Sequence, residues 1–259
     1  MDIYCMTNQK GGVGKTADTI GLAAALAEDG QRVLVVDFDA QGHLTDALGL
    51  PETTDPATLK NALLGEWDGD VHELVFHYRT NFDVIPWNLD QFMLLPGLYM
   101  SQGREHRLSR LLEAFEDEYD VCLIDCAPSL AADTDAALMA ARRRPGRKGG
   151  VLVPVEAEDS SIRALHMLLT QIETLADLMR ADIDIVGLVP SKVDIRRGAI
   201  ATSTLEAFES LGVPPVLAVI KDRTEIRKAW RAKKSVLEYA PQCEASEWYR
   251  GLAKAVLAA

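Results

Sequence analysis

The chain has 259 residues, 48% of them hydrophobic and 25% charged, with four cysteines and a formal net charge of −12. That length suits one large α/β domain or two small ones with a sizeable core, and no apolar run approaches membrane-spanning length. A chain basic all over is excluded, but the charge is segregated: Val189 to Lys234 holds ten basic and five acidic residues, +5, and the remainder carries −17.

Ile3 to Thr7 is a short apolar run, so the first strand starts at once and no signal peptide is expected. It leads into Asn8-Gln9-Lys10-Gly11-Gly12-Val13-Gly14-Lys15-Thr16 and then an Ala/Leu/Ile segment that stops at Gly30. The order is strand, glycine-rich turn, helix. Closely spaced glycines let successive N–H groups point inward, and the helix N-terminus adds partial positive charge, so the turn is a socket for phosphate. Lys15 is placed to reach the β- and γ-phosphates and the Thr16 hydroxyl to sit on Mg²⁺. The spacing departs from the ordinary phosphate loop: Gln9 stands where a first glycine is expected, and a second lysine, Lys10, opens the turn.

Arg32 to Val36 predicts a strand buried on both faces, ending in Asp37-Phe38-Asp39-Ala40-Gln41-Gly42. Thr58 to Leu64 predicts a short helix and Phe82 to Pro86 a strand, with an unassigned loop-rich section between. Arg104 to Glu118 has helical spacing and precedes the buried run Val121 to Ile124, which is capped by Asp125-Cys126-Ala127-Pro128-Ser129. Helices are expected over Ala136–Ala141, Ser160–Met179, Ile200–Leu211 and Ala245–Leu257, and strands over Val151–Val155, Ile183–Val189 and Val216–Ile220. Strands alternating with helices mean a doubly wound, mostly parallel sheet of P-loop type flanked by helices, in one domain over residues 1–259. Cys5, Cys122, Cys126 and Cys243 form no CxxC pair, which fits small apolar roles and a reducing, cytoplasmic setting.

Ligands in such sheets bind at the carboxyl ends of strands. Asp125 is placed to hold Mg²⁺, and Asp39 to orient the attacking water or touch the metal. Either aspartate alone could simply cap a helix; beside a phosphate loop the nucleotide role is the stronger one.

KGGVGKT resembles the deviant Walker A motif of the ParA/MinD group. DFDAQG resembles the DxDPQG switch segment of ParA partition ATPases, and DVCLIDCAPSL their DxxxIDxPPSL segment. VPSKVDIRRG and EYAP…WYRGLAKAV sit where that family has later, weaker signatures. The resemblance covers nearly the whole chain and corresponds to the short form, with no N-terminal helix-turn-helix domain expected. It implies a Mg²⁺-dependent ATPase. Lys10, Gly11, Gly12, Val13, Gly14, Lys15, Thr16 and Ala17 would bind ATP, with Ser191 and Lys192 on the base side. Lys10, Lys15 and Asp39 would be catalytic, and Thr16, Asp125 and Asp39 would face the metal. Lys10 would act in trans, reaching the nucleotide of a second copy in an ATP-bound homodimer. A ParB-like centromere-binding protein would stimulate hydrolysis, and the dimer would bind non-specific DNA on the nucleoid. Ala17 replaces a hydroxyl residue of the family, and Ala40 and Ala127 replace prolines.

Arg223, Arg227 and Arg231 recur every four residues and, with Lys234, form a stripe suited to DNA phosphates; Ile226 and Trp230 fall on a neighbouring face. Arg196 matches a DNA-binding arginine of the family. The loop Arg142–Lys148 is a further basic cluster, for DNA or simply solvated. Ser191-Lys192-Val193-Asp194 approaches the guanine-reading NKxD pattern, but Ser191 replaces the asparagine and adenine is favoured. A MinD-like membrane-cycling ATPase is the alternative reading. It needs a basic amphipathic C-terminal helix, and here only Arg250 and Lys254 are basic, so no membrane association is expected. An iron–sulfur reductase would need paired cysteines, and a P-loop domain without turnover would not need Lys15, Thr16, Asp39 and Asp125 together.

Overall fold

The computed structural model of the chain describes residues 1–51, 55–194, 208 and 214–259. In chain order the elements are β1 (Asp2–Met6), α1 (Lys15–Glu28), β2 (Val33–Phe38), α2 (His43–Leu48), α3 (Leu59–Leu64), β3 (Phe76–Arg79), β4 (Phe82–Ile85), α4 (Leu94–Met100) and α5 (Arg107–Glu113). They continue with β5 (Val121–Cys126), α6 (Ala132–Ala140), β6 (Gly149–Val155), α7 (Asp159–Met179) and β7 (Ile185–Pro190). The last elements are α8 (Thr224–Arg231), α9 (Val236–Tyr239) and α10 (Glu244–Ala258).

The strands form one sheet in the order β3-β4-β2-β5-β1-β6-β7, parallel except for β3 against β4. Alternation within each strand feeds two cores. Ile3, Cys5, Leu34, Val36, Cys122 and Ile124 point to one face, and Tyr4, Met6, Val33, Val35, Val121 and Leu123 to the other. Side chains of α3 to α7 cover the first face; α1, α2 and α8 to α10 cover the second. Strands covered on both sides carry continuous apolar runs, which is why they stand out in the sequence.

β3 lacks that signal. Phe76, His77 and Arg79 are exposed on this antiparallel edge strand, so no buried periodicity marks it. The helix expected over Arg104–Glu118 is shorter. A 3₁₀ turn at Arg104–His106 precedes α5, which ends at Glu113, and Ala114, Phe115 and Glu116 each bond three residues back. The carboxylates of Glu113, Glu116, Asp117 and Glu118 oppose the negative end of a helix dipole there. The strand expected at Val216–Ile220 makes one single bridge among the described residues, Leu188 with Val216, and a second bridge, Val193 with Lys221, falls just past its end. Pro190 and Pro215 have no N–H and act only as acceptors, for Ile220 and Leu188, so a full ladder is interrupted. The expected helix Ile200–Leu211, apart from residue 208, and Arg196 lie outside the described residues.

At the carboxyl edge, β2 and β5 end level, with Asp37 opposite Asp125 in register. Gly42 has φ 63°, and a Cβ there would lie 2.6 Å from the Trp87 indole. Trp87 thus packs directly on the turn after β2, and its Nε1 donates to Ala40 O at 2.8 Å.

Candidate active site

The turn after β1 is held from beneath. Asn8 is fully buried; its Nδ2 donates to Pro154 O at 2.7 Å and its Oδ1 accepts from Lys10 N at 3.1 Å. Gly12 and Gly14 have φ of 79° and 109°, left-handed conformations that admit glycine readily. No described atom lies within 4 Å of where a Cβ on Gly11 or Gly12 would stand, so the backbone there is open to a ligand. Val13 turns inward and is fully buried. Lys15 opens α1 nearly buried. Burial lowers its pKa, with the Asp125 charge foremost among the opposing influences.

Three carboxylates, Asp37, Asp39 and Asp125, gather at the carboxyl ends of β2 and β5, and the charges of Asp39 and Asp125 act on Lys15. Asp125 is fully buried, and burial, reinforced by the Asp37 charge, pushes its pKa up to about 8 against the Thr16 hydroxyl and Lys15. Its Oδ1 accepts from Thr19 Oγ1 at 3.2 Å, while Oδ2 has no hydrogen-bond partner among the described residues. Asp37 is fully buried too, raised to about 6 by burial; its Oδ2 accepts from Thr45 N and Oγ1 at 2.8 and 2.6 Å, while Oδ1 has no partner among the described residues. Asp39 Oδ1 accepts from Gln41 N at 2.9 Å, and its Oδ2 lies 3.7 Å from His43 Nδ1. No cluster of three or more His, Cys, Asp or Glu forms a metal cage among the described residues. Two orphaned carboxylate oxygens behind a phosphate socket nevertheless fit Mg²⁺, which keeps several waters and takes few protein ligands.

Lys10 leans away from the socket. Its Nζ lies 2.6 Å from Glu156 Oε2 and 3.0 Å from Glu158 Oε2, just after β6. Burial opposes its charge, but the two carboxylates outweigh that and raise its pKa. Lys192, left-handed at φ 55°, donates from Nζ to Gly12 O. Ser191 turns from the cavity into the interior, where its hydroxyl donates to Asp18 Oδ2. Burial drives the Asp18 pKa up to about 7, against hydrogen bonds from Ser191 and Tyr249.

A cavity of about 600 Å³ opens over the turn. One wall is Gly11, Gly12, Gly14, Lys15, Thr16 and Ala17; the other is Ile226, Arg227, Trp230 and Arg231 of α8. Asp39, Gln41, His43, Pro128 and Lys192 complete it, and Asp194 is not among its lining residues. The basic stripe is therefore divided. Arg223 is bound to Glu244 at 2.8 Å and lies over the Trp248 ring, and Arg227 pairs with Asp222 at 3.1 Å. Arg231 and Lys234 are exposed, with no ion pair among the described residues. The sequence alone did not assign a role to Asp37 or place the Ile226–Trp230 wall in this cavity. Asp37 opens the DxD segment, whereas nothing local to α8 announces which cavity it faces.

The family model described as AAA domain matches residues 1–185. Sporulation initiation inhibitor protein Soj of Bacillus subtilis is 33% identical over 258 residues, covering 99% of this chain and 98% of its own length. Chromosome partitioning protein ParA of Caulobacter vibrioides is 33% identical over 257 residues, covering 98% and 93%. The chain belongs to the ParA family of P-loop ATPases. Among solved structures, cobyrinic acid a,c-diamide synthase of Mycobacterium smegmatis, with bound ATP analogue and magnesium, has a TM-score of 0.81 at 29% identity over 99% of this chain and 94% of its own. In this ParA-family chain, Tyr249, Leu252, Ala253 and Val256 of α10 are buried in the core that also holds the inner residues of α1. No helix among the described residues is long and apolar enough to cross a membrane.

Proposed function

We propose that the chain is a Mg²⁺-dependent partition ATPase, a single domain that binds ATP, pairs with a second copy, holds non-specific DNA and releases it on hydrolysis. The observation that carries the reading is the union of the open glycine turn, Lys15 and the buried Asp37–Asp125 pair beside one cavity of about 600 Å³. Relatives named for chromosome partitioning support the cellular role.

In this reading the backbone from Gly11 to Thr16 and the Lys15 ammonium bind and orient the phosphates, while Ile226 and Trp230 shield the base side from water. Thr16 and the carboxylates of Asp125 and Asp39 would hold Mg²⁺, with Asp37 beside Asp125, and the metal would supply charge neutralisation for the phosphates. Asp39, held by Gln41 N, orients the attacking water. Lys10 leaves Glu156 and Glu158 to stabilise charge on the partner copy's γ-phosphate. The exposed Arg231 and Lys234, with Arg223, Arg227 and Arg196 in support, contact DNA phosphates. A ParB-like partner stimulates turnover, and the protein works in the cytoplasm on the nucleoid.

The test is DNA retention with ATP, ADP or no nucleotide across a salt series. Salt-sensitive retention only with ATP is expected; equal retention in all three conditions overturns the proposal.

A further inference from the structure

The carboxylate of Asp18 lies inside α1, three residues past Lys15, and it is 1% exposed. A buried carboxylate is costly unless hydrogen bonds hold it. Asp18 has two of them, from different parts of the chain. Its Oδ2 accepts from the Ser191 hydroxyl and its Oδ1 from the Tyr249 hydroxyl of α10 at 3.0 Å. Ser191 is buried as well, and its N donates to Val155 O at 2.7 Å, which fixes the corner after β7.

This pair touches the phosphate turn. A Cβ on Gly14 would stand 3.3 Å from Ser191 Cβ and 3.5 Å from Asp18 Oδ2, so the turn packs straight onto it. The neighbour of Ser191, Lys192, reaches back to Gly12 O. On the other side Gly21 makes a notch for the tyrosine: a Cβ there would fall 2.6 Å from the Tyr249 ring. Tyr249, Asp18, Ser191, Lys192 and Gly12 are thus one chain of contacts from the C-terminal helix to the socket.

We propose that Asp18 is a positioning residue that couples the docking of α10 to nucleotide affinity, through Tyr249 on one side and the Ser191–Lys192 corner on the other. Displacing Tyr249 frees Asp18 and Ser191 to shift, and Gly14 and Lys192 move with them. By reciprocity, nucleotide in the socket tightens α10 against α1. The inference rests on the reading of the turn as an ATP site.

The experiment is amide hydrogen exchange of the full chain with and without Mg-ATP, beside ATP titrations and steady-state kinetics. In the wild type, ATP is expected to slow exchange across residues 244–258. Tyr249→Phe is expected to raise the ATP Kd and KM about fivefold or more, keep kcat within about twofold, and lose that protection. Asp18→Asn, whose amide can donate to Ser191 and accept from Tyr249, is expected to keep the protection. Wild-type binding of ATP with unchanged exchange in α10 overturns the coupling without any variant. So does a Tyr249→Phe protein with wild-type Kd, or one that keeps the ATP-dependent protection of residues 244–258. A wild type that binds no ATP overturns the ATP reading itself.

Discussion

Asp37 and Asp125 stand opposite each other in register on adjacent parallel strands, both fully buried, each with one oxygen that no donor among the described residues reaches. A carboxyl whose folded pKa exceeds its unfolded value favours folding fully below the unfolded value and loses that contribution as pH rises through the folded one. Burial raises Asp37 to about 6, Asp18 to about 7 and Asp125 to about 8. The melting temperature of nucleotide-free protein is therefore expected to fall between about pH 4 and pH 8 wherever these groups dominate, by about 2–4 °C per kcal/mol lost. Mg²⁺ with ATP should restore most of the loss at pH 8. Calorimetry across that range checks both; a melting temperature that rises steadily from pH 6 to 8 without nucleotide contradicts the assignment.

The two lysines of the phosphate turn are expected to separate. Lys15→Ala removes a charge-assisted contact and should weaken ATP binding about 10-fold to 100-fold. Lys10→Ala should retain ATP binding and lose ATP-dependent dimerisation or hydrolysis. Titration beside light scattering distinguishes them, and a Lys10→Ala protein that dimerises and hydrolyses normally rejects the trans role.

Glu156 and Glu158 hold Lys10 within their own chain. If Lys10 must leave them to serve a second copy, the double variant Glu156→Gln, Glu158→Gln should form the ATP-bound dimer at severalfold lower protein concentration. Sedimentation over a concentration series would show it. Unchanged or weaker dimerisation means that the acidic pair is not a competitor.

Among the basic residues, Arg231 and Lys234 are exposed and lack ion pairs among the described residues, whereas Arg223 is already bound to Glu244. Arg231→Ala and Lys234→Ala should each reduce the slope of log affinity for DNA against log salt by about 1. Arg223→Ala should change it least. Equal effects at all three positions would mean that the pairing with Glu244 opens on DNA.

The strands and the phosphate turn could be foreseen because their causes are local. Val33 to Val36 must be apolar on both faces, and Gly12 and Gly14 must allow positive φ, so the demands are written at those positions. β3 could not, since it depends on pairing at an exposed edge, whereas the early end of α5 had a local cause in the acidic run Glu116-Asp117-Glu118 that the apolar spacing of Leu108, Leu111, Leu112 and Phe115 outweighed. The site divides in the same way. Lys15 and Asp125 announce themselves by spacing, but the meeting of Trp230 with Ala17 across the cavity is a property of the folded chain alone. Ser191 is the sharpest case: its motif suggested contact with a base, and its hydroxyl instead faces a buried aspartate that no local pattern would pair with it.

The seating of Trp87 on Gly42, with its indole N–H on Ala40, gives the molecule an optical gauge of its own. Of the four tryptophans, Trp87 adjoins the turn that carries Asp39 and Trp230 lines the cavity. Tyrosine-free excitation should therefore follow nucleotide arrival in real time without an attached dye, and Trp87→Phe and Trp230→Phe would divide the emission between the turn after β2 and the pocket wall.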